Sequence, residues 1–205
     1  MQAVILIGGK GERLMPLTKN IRKAYLPLGN KRVIEHIIDR LPKGMPLAIS
    51  ENDGGSVAAI SEALKGDEPT MVICGDNYFS ENLDGFVQAF TGETLIGIYD
   101  VKEKEKAKKY GVVETYPSGR VRGFYEKPEK PKTTLVSTGL YIIPPQLYQG
   151  IRQSPMLPDM NLGDLIAQLI EYHPVHSYLI KGIWFDIGSH KSYQEALRLV
   201  WEDIL

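Results

Sequence analysis

Gly8, Gly9 and Gly11 close an apolar run and are followed almost at once by Arg13. A glycine turn at the carboxyl end of a strand lets backbone N–H groups come close to a polyphosphate, and an arginine beside it neutralises the anion. Neither common phosphate template fits. The dinucleotide fingerprint fails at its third glycine, because Gly9-Lys10-Gly11 runs into Glu12, Arg13 and Leu14, and the Walker loop's spaced glycine and Lys-Ser/Thr pair are absent. A basic surface loop is the plain alternative. Asp76, in "VICGDNYF", stands just past a second apolar run, where an open α/β sheet presents side chains to its crevice and a bare carboxylate takes a hard cation. Magnesium uses one or two protein carboxylates with phosphate oxygens and water, so a second, distant carboxylate is the thing to seek. Asp186, in "WFDIGSHKSY", has the same strand-end setting with a glycine nearby, although it also reads as a turn or cap before the last helix.

The elements that must hold these groups follow from periodicity. "AVILI" and "TMVIC" are short β-branched runs of the kind buried on both faces of a parallel sheet. Between them come a helix over residues 33–41, ended by Pro42 and Gly44, a strand "PLAIS", and a helix over 56–64. Alternation of this kind predicts an α/β, Rossmann-like open sheet, mixed but mainly parallel, flanked by helices. After about residue 96 the pattern turns to strands, "LIGIYDV", "GVVETY", "RVRGFYE" and "LVSTGLYII", which predict a small β-rich extension. "KEKEKAKK", residues 102–109, mixes signs at helical spacing, Glu105 with Lys109 for example, and reads as a solvated helix face. From residue 161 a helix "NLGDLIAQLIEY" precedes strands "VHSYLI" and "IWFDIG", and an amphipathic helix begins near residue 189. Leu197, Val200, Trp201 and Leu205 on it would close the core or supply an interface for a homo-oligomer, core closure being the expectation. The chain is expected to form one domain over 1–205, in two halves of about 1–100 and about 101–205.

Composition narrows the chemistry. Twenty-four basic and 25 acidic residues leave a formal charge of -1, which gives no reason to expect nucleic acid or an anionic membrane as a partner. A single cysteine, Cys74, excludes an intrachain disulfide framework and a cysteine-rich zinc site, and fits a reducing compartment. "MQAVILI" is too short for a signal segment or a membrane span, so a soluble, cytoplasmic protein is expected. His173 and His176 are split by Pro174, which spoils helical ligand geometry, and are read as surface residues; Cys74 is read as core.

"GGKGERLMPLT", followed by "KAYLPL", resembles the signature G-G-x-G-x-R-L-x-P-L-T then K-x-x-L-P of the sugar-1-phosphate nucleotidylyltransferases, the NDP-sugar pyrophosphorylases. The resemblance implies that the backbone of Gly8, Gly9 and Gly11 with Arg13 holds the β- and γ-phosphates of an NTP and that Lys23 sits near the α-phosphate; Lys10 falls at a variable position. It implies that Asp76 and Asp186, matching the "GD" and "W-x-D-x-G" motifs, hold a catalytic Mg²⁺. "FYEKP" resembles the family's F-x-E-K-P, with Glu126 on sugar hydroxyls and Lys127 on the sugar phosphate; taken alone, the pair reads as a charged turn whose direction Pro128 fixes by extending the chain. "YGVV" and "VSTGLY" resemble segments lining the sugar pocket and implicate Gly111, Ser137, Thr138 and Tyr141, while Asp164 matches an acidic position of no fixed role. "ENDGGSVAAI" resembles a divergent base-binding turn, with Gly55 and Ser56 against the nucleobase.

In one respect the chain departs from the family. Members usually carry another strand and helix between the first helix and this turn, whereas here residue 41 reaches "PLAIS" within a few residues. A narrower sheet and a more open base pocket are expected on that side. No hexapeptide repeat follows, so the expectation is a short form without a fused acetyltransferase. The implied reaction is in-line attack of a sugar-1-phosphate, glucose-1-phosphate by preference, on the α-phosphate of UTP or dTTP. Two alternatives stay open: guanylyl transfer to mannose-1-phosphate, or cytidylyl transfer, on the same fold; and a non-catalytic NDP-sugar-binding regulator.

Overall fold

The computed structural model describes residues 1–9, 11–154 and 160–202. Lys10 and Leu205 fall outside this range, and the side chain of Trp201 is not described. Along the chain come β1 (Gln2–Leu6), β2 (Pro27–Leu28), β3 (Lys31–Arg32), α1 (Val33–Arg40), β4 (Leu47–Ser50), α2 (Ser56–Ala63), β5 (Thr70–Cys74), β6 (Asn77–Phe79) and α3 (Asp84–Gln88). They are followed by β7 (Thr94–Asp100), α4 (Lys104–Ala107), β8 (Gly111–Thr115), β9 (Val121–Glu126), β10 (Leu135–Ile143), α5 (Tyr148–Arg152), α6 (Leu162–Tyr172), β11 (Val175–Leu179), β12 (Trp184–Asp186) and α7 (His190–Glu202).

The main sheet has the order β11-β7-β10-β5-β1-β4, with β8 and β9 attached through β10. β4, β1 and β5 are mutually parallel, and β10 runs antiparallel to both β5 and β7, so five of these six strands point one way. The expected mixed, mainly parallel α/β sheet is therefore what the chain forms. The apolar runs of β1 and β5 are buried on both faces. Val4, Leu6 and Val72 face one core with α2, α5 and α6, while Ala3, Ile5, Met71 and Ile73 face another with Ile34 and Ile37 of α1. A third cluster joins Leu14, Leu26, Leu28 and Tyr78 to Ala196 and Val200 of α7, with Leu197 packed against it, so the described part of the last helix closes a core.

β4 is the edge of the sheet next to β1. The short stretch after α1 thus leads into this edge strand. None of the helices among the described residues is long and apolar enough to cross a membrane. The run 102–109 is helical only over Lys104–Ala107; its internal ion pairs are Glu103–Lys106 and Glu105–Lys108, while Lys102 pairs with Asp100 just outside it. The Glu105–Lys109 pairing read from the sequence is not the one formed, because one short turn of helix favours the i,i+3 partner.

Candidate active site

A cleft of about 480 Å³ opens beyond the carboxyl ends of β1 and β5. It is lined by Gly8, Gly9, Arg13, Lys23, Gly55, Ser56, Asp76, Gly111, Glu126, Lys127, Ser137, Thr138 and Asp186, so the fold gathers nearly all the residues singled out from the sequence. Gly11 lies beside it, in a smaller depression shared with Arg13 and Lys23. Leu6 and Ala59 join Gly55 and Ser56 on the side nearest β4, and Phe124 and Tyr141 lie towards β8, β9 and β10.

The glycines are there for reasons of space. A Cβ on Gly8 would stand 2.3 Å from the carbonyl oxygen of Asn52, so the turn after β1 and the turn after β4 touch through backbone. Gly11 adopts φ +61°, and its carbonyl accepts the Thr18 hydroxyl at 2.7 Å. The Gly9 N–H donates to Asp53 Oδ1 at 3.1 Å, and Arg22 clamps the same carboxylate at 2.7 and 3.1 Å. A protein carboxylate therefore holds one of the amides that the motif assigns to phosphate. Nothing in the sequence pointed to Asp53 or Arg22; acid and base 31 residues apart give no local pattern.

The two carboxylates are brought together by pairing. β12 runs antiparallel to β6 with Asp186 opposite Asn77, and the Ile187 N–H donates to the Asp76 carbonyl at 2.8 Å. Gly75 lets this corner lie against β1: its N–H donates to the Leu6 carbonyl, and a Cβ there would overlap the Ile7 side chain at 2.5 Å. Asn77 ties the corner down, donating to the Cys74 carbonyl at 3.0 Å and accepting from the Trp184 indole at 2.9 Å. Lys23 Nζ donates to Asp76 Oδ2. Burial opposes the lysine's charge, but Asp76 in contact with it and Asp186 nearby outweigh burial and raise its pKa. Burial and the adjoining Asp76 charge push the Asp186 carboxyl up, against the pull of Lys23 and Arg13. Burial likewise raises the Cys74 thiol, but the residue is half-buried and lines the cleft rather than taking the core position expected of it.

Two acidic groups forced together at a cleft wall form a hard-oxygen donor set that a divalent cation would relieve. Among the described residues no group of three or more His, Cys, Asp and Glu could hold a metal ion, so any cation here would take its remaining ligands from substrate phosphates and water, the usual arrangement for magnesium. Asp76 and Asp186 fit that ion.

On the opposite wall the arrangement differs from expectation. Lys127 Nζ pairs with Glu126 Oε1 at 2.9 Å. Lys127 is also left-handed, at φ +42°, where a residue before proline was expected to be extended. Its N–H donates to the Tyr110 carbonyl at 3.1 Å, which sets the backbone against that preference. Gly111 faces Phe124 so closely that a Cβ would stand 2.2 Å from the ring, and Gly163 would meet Glu126 Oε2 at 2.8 Å. Ser137 shares a hydrogen bond with the Tyr141 hydroxyl at 2.9 Å, whereas the Thr138 hydroxyl is spent on the Gly97 carbonyl at 2.9 Å, inside the bulge of β10. Asp164 has a structural role: its carboxylate accepts the Asn161 N–H at 3.0 Å while Asn161 Oδ1 accepts the Asp164 N–H, capping α6. Lys109, read as a solvated charge, lines the cleft.

Comparison with known proteins agrees with this geometry. A profile of the nucleotidyl transferase family matches residues 2–50 and 45–202, two segments that overlap on the stretch containing β4. The chain is 28% identical to the bifunctional protein GlmU of Methanocaldococcus jannaschii in an alignment of 231 positions covering 100% of this chain and 55% of that protein. It is 27% identical to the UTP--glucose-1-phosphate uridylyltransferase AglF of Haloferax volcanii over 99% of this chain and 98% of that one. It thus spans about half the length of the first relative and nearly all of the second. A crystal structure described as a glucose-1-phosphate thymidylyltransferase of Bacillus anthracis, in complex with sucrose, shares the fold with a TM-score of 0.86 at 24% identity, over 98% of this chain and 95% of that one.

Proposed function

The chain belongs to the nucleotidyl transferase family, and we propose that it transfers a nucleotidyl group from an NTP to a sugar 1-phosphate, releasing pyrophosphate. The observation that carries this reading is the placing of Asp76 and Asp186 on one wall of a cleft whose rim is the glycine turn with Arg13 and Lys23. UTP or dTTP with glucose-1-phosphate is the preferred pair, since relatives that share most of this chain are named for uridylyl and thymidylyl transfer to glucose-1-phosphate. We place the reaction in the cytoplasm, in line with the single cysteine, Cys74.

In this reading residues of about 1–100 hold the nucleotide and residues of about 101–205 the sugar phosphate. One oxygen of the sugar phosphate forms a bond to the α-phosphorus as the bond to the bridging oxygen of pyrophosphate breaks. The attacking oxygen is already anionic, so the protein positions and neutralises, and no general base is needed. Arg13, which makes no ion pair among the described residues, is available for the leaving pyrophosphate. Lys23, oriented by Asp76, meets the charge that builds on the α-phosphate. Lys127 leaves Glu126 for the sugar phosphate and frees that carboxylate for sugar hydroxyls. Mg²⁺ held by Asp76 and Asp186 would supply charge neutralisation between the two anionic substrates. A pyrophosphatase-coupled phosphate assay across NTPs and sugar 1-phosphates tests the reading: release that requires both substrates supports it, and silence across the panel overturns it.

A further inference from the structure

β4 is an edge strand of the main sheet. Leu47, Ala48 and Ile49 are all exposed, at 38% for Leu47 and 43% for Ile49. The carbonyls of Pro46 and Ser50 accept the N–H groups of Ala3 and Ile7. By the alternation of a parallel ladder, Pro46, Ala48 and Ser50 therefore turn their backbone groups towards β1, while Leu47 and Ile49 turn theirs out. No hydrogen bond among the described residues uses those outward groups. The strand carries no charge, and such an edge is a template for another strand.

We infer that β4 is the contact by which two copies of this chain form a twofold antiparallel dimer, with the axis through Ala48. Three features of the strand are self-complementary about that point. In the backbone, Leu47 of each copy faces Ile49 of the other as a hydrogen-bonded pair, which satisfies all four outward N–H and C=O groups on each strand. Pro46, which has no N–H, lies in the parity that needs no outward donor, so it does not block the pairing. In the side chains, Leu47 and Ile49 stand beside Ala3 and Ile5, on the face that α1 covers, and the pair would place four aliphatic groups together there. Ala48 falls at the axis in a non-hydrogen-bonded pair, where side chains approach most closely and a methyl fits. Ile38 of α1, 38% exposed, belongs to the helix on that same face and extends the apolar surface beyond the strand, which alone is small for a stable interface.

The charges agree with the same register. Lys43, just before β4, makes no ion pair among the described residues, while two acidic residues, Glu51 and Asp53, stand just after the strand and both pair with Arg22. Antiparallel pairing about Ala48 brings Lys43 of each copy opposite the acidic end of its partner. The dimer would also brace the turn after β4, which reaches the cleft at Gly55.

Sedimentation velocity on the full chain, with a cysteine cross-link, tests this. The native chain should sediment at twice its 23.0 kDa mass. Ile49→Lys, at an exposed position, should shift it to the monomer mass with an unchanged circular dichroism spectrum, and Lys43→Glu should raise the dissociation constant about tenfold at low salt. Ala48→Cys, facing itself across the axis, should form a covalent dimer on mild oxidation that the native chain, whose one cysteine, Cys74, lies in the cleft away from the axis, does not form. A monomeric native chain, a dimer indifferent to Ile49→Lys, or a dimer without the Ala48→Cys cross-link would each overturn the inference.

Discussion

The two walls of the cleft hold their charges in opposite ways. On the wall of β5, β6 and β12, Lys23 and Asp76 are paired with 20% and 18% of their side chains exposed, and backbone bonds from Ile187 and Gly75 fix the strands beneath them. On the wall at the end of β9, Lys127 and Glu126 are paired with 63% and 34% exposed. An exposed pair contributes about 0–1 kcal/mol, whereas breaking a buried one by removing a partner leaves a charge that solvent cannot cover. One wall is therefore set before any substrate arrives. The other would give up its pairing at little cost to an anion competing for the lysine.

The largest effect should come from the fixed wall. Asp76→Asn is expected to lower kcat by more than the ~10–100-fold that loss of an orienting partner costs. Its Tm should move little, since Asp186 remains beside Lys23 and the repulsion between two carboxylates is relieved. Turnover close to the native rate would remove the distinction between the walls. Next in size, Gly111→Ala tests the packing behind the second wall. Its methyl would stand 2.2 Å from the Phe124 ring, and overpacking should cost about 1–3 kcal/mol, read as a Tm lower by several degrees. A smaller effect is expected of Lys127→Ala: about a tenfold rise in KM for the sugar phosphate with the KM for NTP unmoved. An equal rise in both would show that the walls do not divide the substrates.

The smallest effect lies away from both walls and serves as their control. The Lys102 ammonium and N–H and the Thr134 hydroxyl all donate to Asp100, holding its carboxyl down at about 2. A carboxyl depressed in the folded state stabilises the fold at pH above its ordinary value near 4, and the benefit fades as pH falls towards 2. Discounted for exposure, Asp100→Asn should cost about 1 kcal/mol at pH 7. In denaturant titrations the gap from the native chain should close between about pH 4 and pH 2.

The fixed wall was largely legible from the strand pattern, whereas the residues of the yielding wall were named only through the family resemblance and their pairing was not foreseen, for a physical reason. β1 and β5 announce themselves as β-branched apolar runs, and the residues just past their ends are where an open sheet exposes side chains, so Gly8, Gly9 and Asp76 could be placed by position alone. Asp186 joins them through the β6–β12 pairing, which only a motif spanning the chain could suggest. What escaped depends on partners chosen in space. Asp53 holding the Gly9 N–H, Asn77 accepting from the Trp184 indole, and Lys127 held in a left-handed turn with its N–H on the Tyr110 carbonyl are long-range or strained choices with no local periodicity, while Glu105 taking Lys108 and so leaving Lys109 to the cleft is one of two pairings that helical spacing allows. Asp164 shows the converse. An acid three residues after Asn161 is a capping-box pattern, and the cap is the use to which the fold puts it.

Phosphorus-31 NMR of the purified chain with UTP, glucose-1-phosphate and Mg²⁺, repeated with dTTP and with excess EDTA, puts the account to its most direct test. Paired growth of pyrophosphate and nucleotide-sugar diphosphate signals, abolished by EDTA and by Asp76→Asn, is the predicted result. Pyrophosphate formed at the same rate in EDTA or by Asp76→Asn, or no pyrophosphate with either nucleotide, would contradict it.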